Sequence, residues 1–158
     1  MIELFELSIR ANIEYDKLND FLAEVLRIDR SQIVSDTTFW DCVETSHEKI
    51  VGVQVYHSDL GFKTLCKWRQ TWNLTDIELF QMAAYASVKF HSEVAIGNFI
   101  DPPDESGEQF IVITPARQFY RAFSSTNTEV FDTASVDGEL FDVDMHIKRA
   151  RTAKLDQP

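Results

Sequence analysis

Glycine is scarce here: the chain has five, at positions 52, 61, 97, 107 and 138, and no two lie close together. Loops that cradle phosphate need several residues that tolerate positive φ and close approach of backbone to ligand, so the common nucleotide-binding loops are excluded. The nucleophile elbow Gly-x-Ser-x-Gly is missing as well. Cysteine is limited to Cys42 and Cys66, and the histidines at 47, 57, 91 and 146 never stand at Cys-x-x-Cys or His-x-x-x-His spacing. A zinc site would have to gather ligands from scattered segments, and no metal or cofactor is expected. No apolar run approaches the roughly 20 residues that span a bilayer, so no membrane association is expected.

Positive charge is the other shortage. Lysine and arginine total 15 against 26 aspartates and glutamates, which leaves a formal net charge of −11. Phosphate backbones and anionic lipid surfaces repel such a chain, so a nucleic-acid partner is not expected. Met1 to Leu7 carries Glu3 and Glu6 where a secretory signal has a basic start and an unbroken apolar core. The expectation is a mature N-terminus, reduced thiols and a cytoplasmic location.

What is present suits a soluble domain. The 158 residues are 44% hydrophobic and include 12 phenylalanines, enough for one core without disulfide or metal staples. Sliding the chain by 61 residues sets Leu4 on Leu65, Ile13 on Leu74, Leu18 on Leu79, Phe21 on Met82, Ile50 on Ile111 and Val51 on Val112 without a gap. Two half-units are therefore expected, at about 1–60 and 61–124, within one domain of 1–147 followed by a basic, frayed tail at 148–158.

Each half reads as strand, helix, strand, strand. Glu3 to Arg10 alternates at period two, and Tyr15 to Leu26 then places Leu18, Phe21, Leu22, Val25 and Leu26 on one helical stripe. Short strands are expected at Gln32 to Val34 and Thr38 to Val43, with a longer one at Lys49 to His57. In the second half a strand at Phe62 to Thr71 precedes a capping box, Thr75-Asp76-Ile77-Glu78, that opens a helix running to about Phe90. Strands at Glu93 to Phe99, Gln109 to Thr114 and Gln118 to Ser124 follow, with Pro115 breaking the ladder between the last two. Leu140 to Ile147 reads as an edge strand or short helix. The expected fold class is α+β, with helices packed on one side of antiparallel sheet.

The charge is concentrated. Between Ile96 and Met145 lie Asp101, Asp104, Glu105, Glu108, Glu129, Asp132, Asp137, Glu139, Asp142 and Asp144, ten carboxylates against Arg117 and Arg121. Acidity of this kind serves solubility. It also suits a surface that docks a cationic partner by long-range attraction and desolvated carboxylate–arginine pairs. Asp137 to Asp144 lacks the ligand order of a calcium loop. Trp40, which follows the polar run Ser35 to Thr38, is the tryptophan most suited to such an interface; Trp68 and Trp72 read as core.

In size, acidity, cytoplasmic character and the helix-then-strands order from Thr75 to Thr114, the chain resembles the small acidic immunity proteins that neutralise bacterial toxins of contact-dependent growth inhibition and related secretion systems. The resemblance implies a monomeric protein that forms a one-to-one complex with a basic toxin domain, often a nuclease, and performs no catalysis. It assigns no residue by position. Two alternatives stand beside it: a non-catalytic interaction module or assembly subunit, and a small enzyme whose candidate groups are Asp41, Cys42, His47 and His57.

Overall fold

The computed structural model describes residues 2–44, 48–59, 61–97, 99, 108–124 and 140–141. Strand β1 spans Leu4–Ile9, and its period-two pattern buries Phe5, Leu7 and Ile9. Helix α1, Tyr15–Leu26, occupies the expected limits and turns Leu18, Phe21 and Leu22 inward. It stops at Arg27, whose left-handed backbone (φ 57°) directs its N–H to the carbonyls of Ala23 and Glu24.

The next expectation fails. Thr38 to Val43, read as a strand from its β-branched and aromatic residues, belongs to helix α2, Asp36–Val43, which follows a 3-10 turn at Arg30–Gln32 and the short β2, Ile33–Ser35. Ser35 is the reason locally: its hydroxyl accepts from the Thr38 amide at 3.2 Å and satisfies a first-turn donor. Phe39, the buried residue of α2, supplies the tertiary reason, since helical geometry alone drops its ring onto the sheet.

Strands β3, Val51–His57, and β4, Thr64–Gln70, lead to α3, Asp76–Lys89. Its capping box forms as expected: Thr75 Oγ1 accepts from the Glu78 amide at 3.1 Å and Glu78 Oε2 accepts from the Thr75 amide at 3.0 Å. Such a box is worth about 1 kcal/mol. Then come β5, Val94–Gly97, β6, Glu108–Ile113, β7, Phe119–Ser124, and the two-residue β8, Leu140–Phe141. The β6–β7 hairpin closes around Pro115, with the Thr114 amide donating to the Gln118 carbonyl at 2.8 Å. Pairing of β8 with β7 places Leu140 and Phe141 at an edge; Asn98, the loop from Ile100 to Gly107, residues 125–139 and everything after Phe141 lie outside the described residues.

The class is α+β. The sheet runs β2-β3-β4-β1-β5-β6-β7-β8, a mixed sheet of seven strands extended at one edge by β8. Every pairing is antiparallel except β2 with β3, which corrects the expectation of a wholly antiparallel sheet. The central order β3-β4-β1-β5 interleaves two β-α-β crossings: α1 lies between β1 and β3 in the chain, α3 between β4 and β5, and each pair of strands is separated by an antiparallel neighbour. That interleaving buries both helices against one face, where Leu7, Ile9, Phe21, Leu22, Trp68, Phe80, Ile96 and Ile113 share a core. Helix α2 packs on the opposite face, so the helices do not all lie on one side as the sequence pattern led one to expect. Among the described residues, no helix is long and apolar enough to cross a membrane.

Candidate functional site

The face of the sheet opposite α1 and α3 carries a polar and aromatic surface that the register builds row by row. Across β1, β4 and β3 the rows are Leu4–Arg69–Gly52, Glu6–Lys67–Gln54 and Ser8–Leu65–Tyr56. The next residues along each strand, Phe5, Trp68 and Val53, point into the helical core, so this alternation leaves two cations, a carboxylate, an amide and a phenol on the outer face. Farther along the same face, Ala95, Val112 and Ala122 form a small apolar cluster with Phe62, and the Arg10 guanidinium lies 5.0 Å from the Phe62 ring centroid.

Trp40 is anchored within this surface. Its indole is 48% exposed, meets Phe39 edge to face with centroids 5.4 Å apart, and lies under the Arg69 guanidinium at 5.4 Å. A relay of side chains ties α2 to the sheet around it. Tyr56 donates its hydroxyl to Gln54 Oε1 at 3.2 Å, and Gln54 Nε2 donates to Asp36 Oδ2 at 3.1 Å. Asp36 Oδ1 then stands 3.4 Å from Arg69 Nε. That last contact attracts by charge without an aligned hydrogen bond, since Arg69 Nε is buried and finds no acceptor among the described residues. Lys67 is shared between Glu6, 3.7 Å away, and the Tyr56 ring, 5.6 Å from its centroid. Partly exposed pairs at these separations, neither with an aligned hydrogen bond, add only about 0–1 kcal/mol each. Their consequence is orientation, because Trp40 and Tyr56 are held as exposed aromatic groups on a stiff support.

Among the groups considered for nucleophilic chemistry, His57 makes a structural contact. His57 sits at the end of β3, and its Nε2 donates to the Ile13 carbonyl at 2.8 Å. Thr64 Oγ1 accepts from the Ile13 amide and donates to the Ala11 carbonyl, both at 2.8 Å, while Ser92 Oγ accepts from the Ala11 amide at 2.9 Å. Three side chains thus pin the loop between β1 and α1, and the histidine is one of the pins. Asp41 is exposed and Cys42 half-buried on α2; His47 lies outside the described residues. No group of three or more histidines, cysteines or acids among the described residues is placed to hold a metal ion.

Cys66 is fully buried in the helical core, and burial pushes its thiol up from the usual 9.0 to about 12. Its folded pKa is therefore above its unfolded one, and the folded state keeps a proton that the unfolded chain loses. Stability is expected to fall by about 1.4 kcal/mol per pH unit contributed by this group as pH rises from about 9 towards 12. Urea denaturation of the parent and of Cys66→Ala across that window checks the sign: the variant should lack this component of the slope. Under native conditions a thiol reagent should leave Cys66 unmodified until the chain unfolds.

Of the acidic positions, Glu108 opens β6 opposite Ser124. Asp101, Asp104, Glu105, Glu129, Asp132, Asp137, Glu139, Asp142 and Asp144 lie outside the described residues. The sequence singled out Trp40 but not Asp36, Gln54, Tyr56, Lys67 and Arg69 around it. A signal existed in the alternation of Leu65, Lys67 and Arg69 about Cys66 and Trp68, yet only pairing with β1 and β3 assembles the rows. No family model matches the chain, and no match is found among curated proteins or solved structures.

Proposed function

We propose that this chain is an immunity protein of the cytoplasm, a monomer that binds a basic toxin domain one to one and blocks it, the toxin being a nuclease. One observation carries the proposal: ten carboxylates against two arginines between Ile96 and Met145, in a chain whose remainder is nearly balanced. Carboxylates compete for the basic cleft that a nuclease offers to phosphate, and attraction over a Debye length speeds the encounter. Support also comes from the outer sheet face, where Trp40 and Tyr56 supply aromatic anchors of the type that dominates binding energy. We further infer that two related half-units underlie the chain. What supports this is spacing: α1 opens at Tyr15 and α3 at Asp76, and Leu4 of β1 stands the same 61 residues before Leu65 of β4.

The test is protection. The proposal requires a toxin domain encoded beside the gene; expressing the chain together with that domain should restore growth, and a cell that dies regardless would defeat the proposal. With that domain in hand, reversing Asp101, Asp104, Glu105 and Glu108 to lysine should slow association about tenfold or more at low salt, with the rates converging at high salt. Equal rates at low salt would take the docking role away from these four positions.

A further inference from the structure

A groove of about 610 Å³ runs between the C-terminal turn of α1, the loop after β4 and the first half of α3. Its volume lies in the range of small-molecule sites, and Val25, Leu26, Trp72, Leu74 and Met82 supply the apolar part of a lining that is otherwise polar.

The charges at its rim are not equivalent. Glu24 accepts from both Lys89 and Tyr85, and the Lys89 hydrogen bond, with Tyr85 second, holds its carboxyl below the usual range. Glu78 is committed to the capping box of α3. Both carboxylates therefore have donors already. Arg27 differs: its guanidinium makes no ion pair among the described residues, although its backbone is fixed in the left-handed conformation (φ 57°) that costs a non-glycine residue energy. A second cation stands close by, for the Lys49 ammonium lies 5.0 Å from the centroid of the Trp72 ring. In a strongly acidic chain, this groove is lined by engaged carboxylates and by Arg27, and Lys49 lies over the ring of its Trp72; neither cation has an ion-paired carboxylate among the described residues.

We propose that the groove binds a small amphipathic organic anion, a carboxylate on a compact apolar body, with Arg27 taking the charged head and Val25, Trp72, Leu74 and Met82 enclosing the rest. A neutral analogue loses the charge-assisted bond, and a cationic one meets Arg27 and Lys49 with like charge. The inference concerns the helical side of the sheet and stands independently of toxin binding.

Calorimetric titration of the full chain with 2-naphthoate, 2-naphthalenemethanol and 2-naphthylmethylammonium tests it. Naphthoate should bind saturably and about tenfold or more tighter than the alcohol, the ammonium should bind least, and amide resonances of Val25, Leu74 and Met82 should shift. Arg27→Gly separates binding from folding: it should raise the melting temperature by relieving the left-handed residue while weakening naphthoate about tenfold, and Arg27→Lys should restore much of the affinity. The proposal is overturned if naphthoate gives no saturable heat, if the alcohol binds as well, if Arg27→Gly leaves the affinity unchanged, or if the shifts map elsewhere. Concentration-dependent self-association abolished by Leu74→Asp would overturn it too, by making a second copy of the chain the occupant.

Discussion

Gly52→Ala is expected to destabilise the protein by about 2–4 kcal/mol and to release α2 from the sheet. A Cβ at this position would sit 2.4 Å from Phe39 Cβ and 2.7 Å from its Cγ. The nearest atom is the first of the Phe39 side chain, so no rotation about χ1 moves it away and the helix backbone itself must retreat. With it go the burial of Phe39, the Asp36 contacts to Gln54 and Arg69, and the seat of Trp40 under the Arg69 guanidinium. Urea denaturation followed by circular dichroism and tryptophan fluorescence measures the loss. A fall in midpoint at constant slope means global destabilisation, whereas a separate early fluorescence transition means that α2 leaves first. Phe39→Ala alone should cost about 3–4 kcal/mol. Combined with Gly52→Ala it should give no rescue, because alanine retains the offending Cβ. A Gly52→Ala protein as stable as the parent would show that the close approach does not hold in solution.

Gln70→Leu should cost about 2–4 kcal/mol although it replaces an amide by a hydrocarbon of similar size inside a hydrophobic core. Gln70 is 2% exposed and bridges two groups that have no other side-chain partner among the described residues: its Oε1 accepts from Trp68 Nε1 at 3.0 Å, and its Nε2 donates to the Trp72 carbonyl at 3.0 Å. Removing the amide leaves an indole N–H and a backbone carbonyl unpaired in a low-dielectric setting, each at about 1–3 kcal/mol. The double-mutant cycle with Trp68→Phe isolates the first of these. Once the indole is gone, Gln70→Leu should cost less, with a coupling of about 1 kcal/mol or more. Additive effects would mean that the bridge contributes nothing beyond packing.

Much of this fold was legible locally. The limits of α1 follow from Leu18, Phe21 and Leu22 recurring at helical spacing, and the start of α3 from Thr75 and Glu78, because both signals act within one or two turns. Helix α2 was not legible. Thr37, Thr38, Phe39 and Trp40 carry strand propensity, and the winning terms were a cap at Ser35 and a landing place for Phe39 that exists only because Gly52, distant in sequence, lacks a side chain. Of the candidate site, Trp40 was visible as an aromatic after a polar run. Its neighbours were not, since Arg69 reaches it from β4 and Asp36 acquires Gln54 from β3 through pairings that no local pattern encodes.

The sequence by itself determined the quantities that add residue by residue: net charge, the acidic excess between Ile96 and Met145, the poverty of glycine, and the period of each amphipathic segment. Tertiary structure alone decided which strands adjoin, that β2 runs parallel to β3, which face α2 covers, and that Arg27 lines a groove between α1 and α3. The division has a physical cause. Periodicity and caps are short-range and survive in any context, whereas strand order and side-chain convergence are fixed by the burial of the whole core, to which every segment contributes at once.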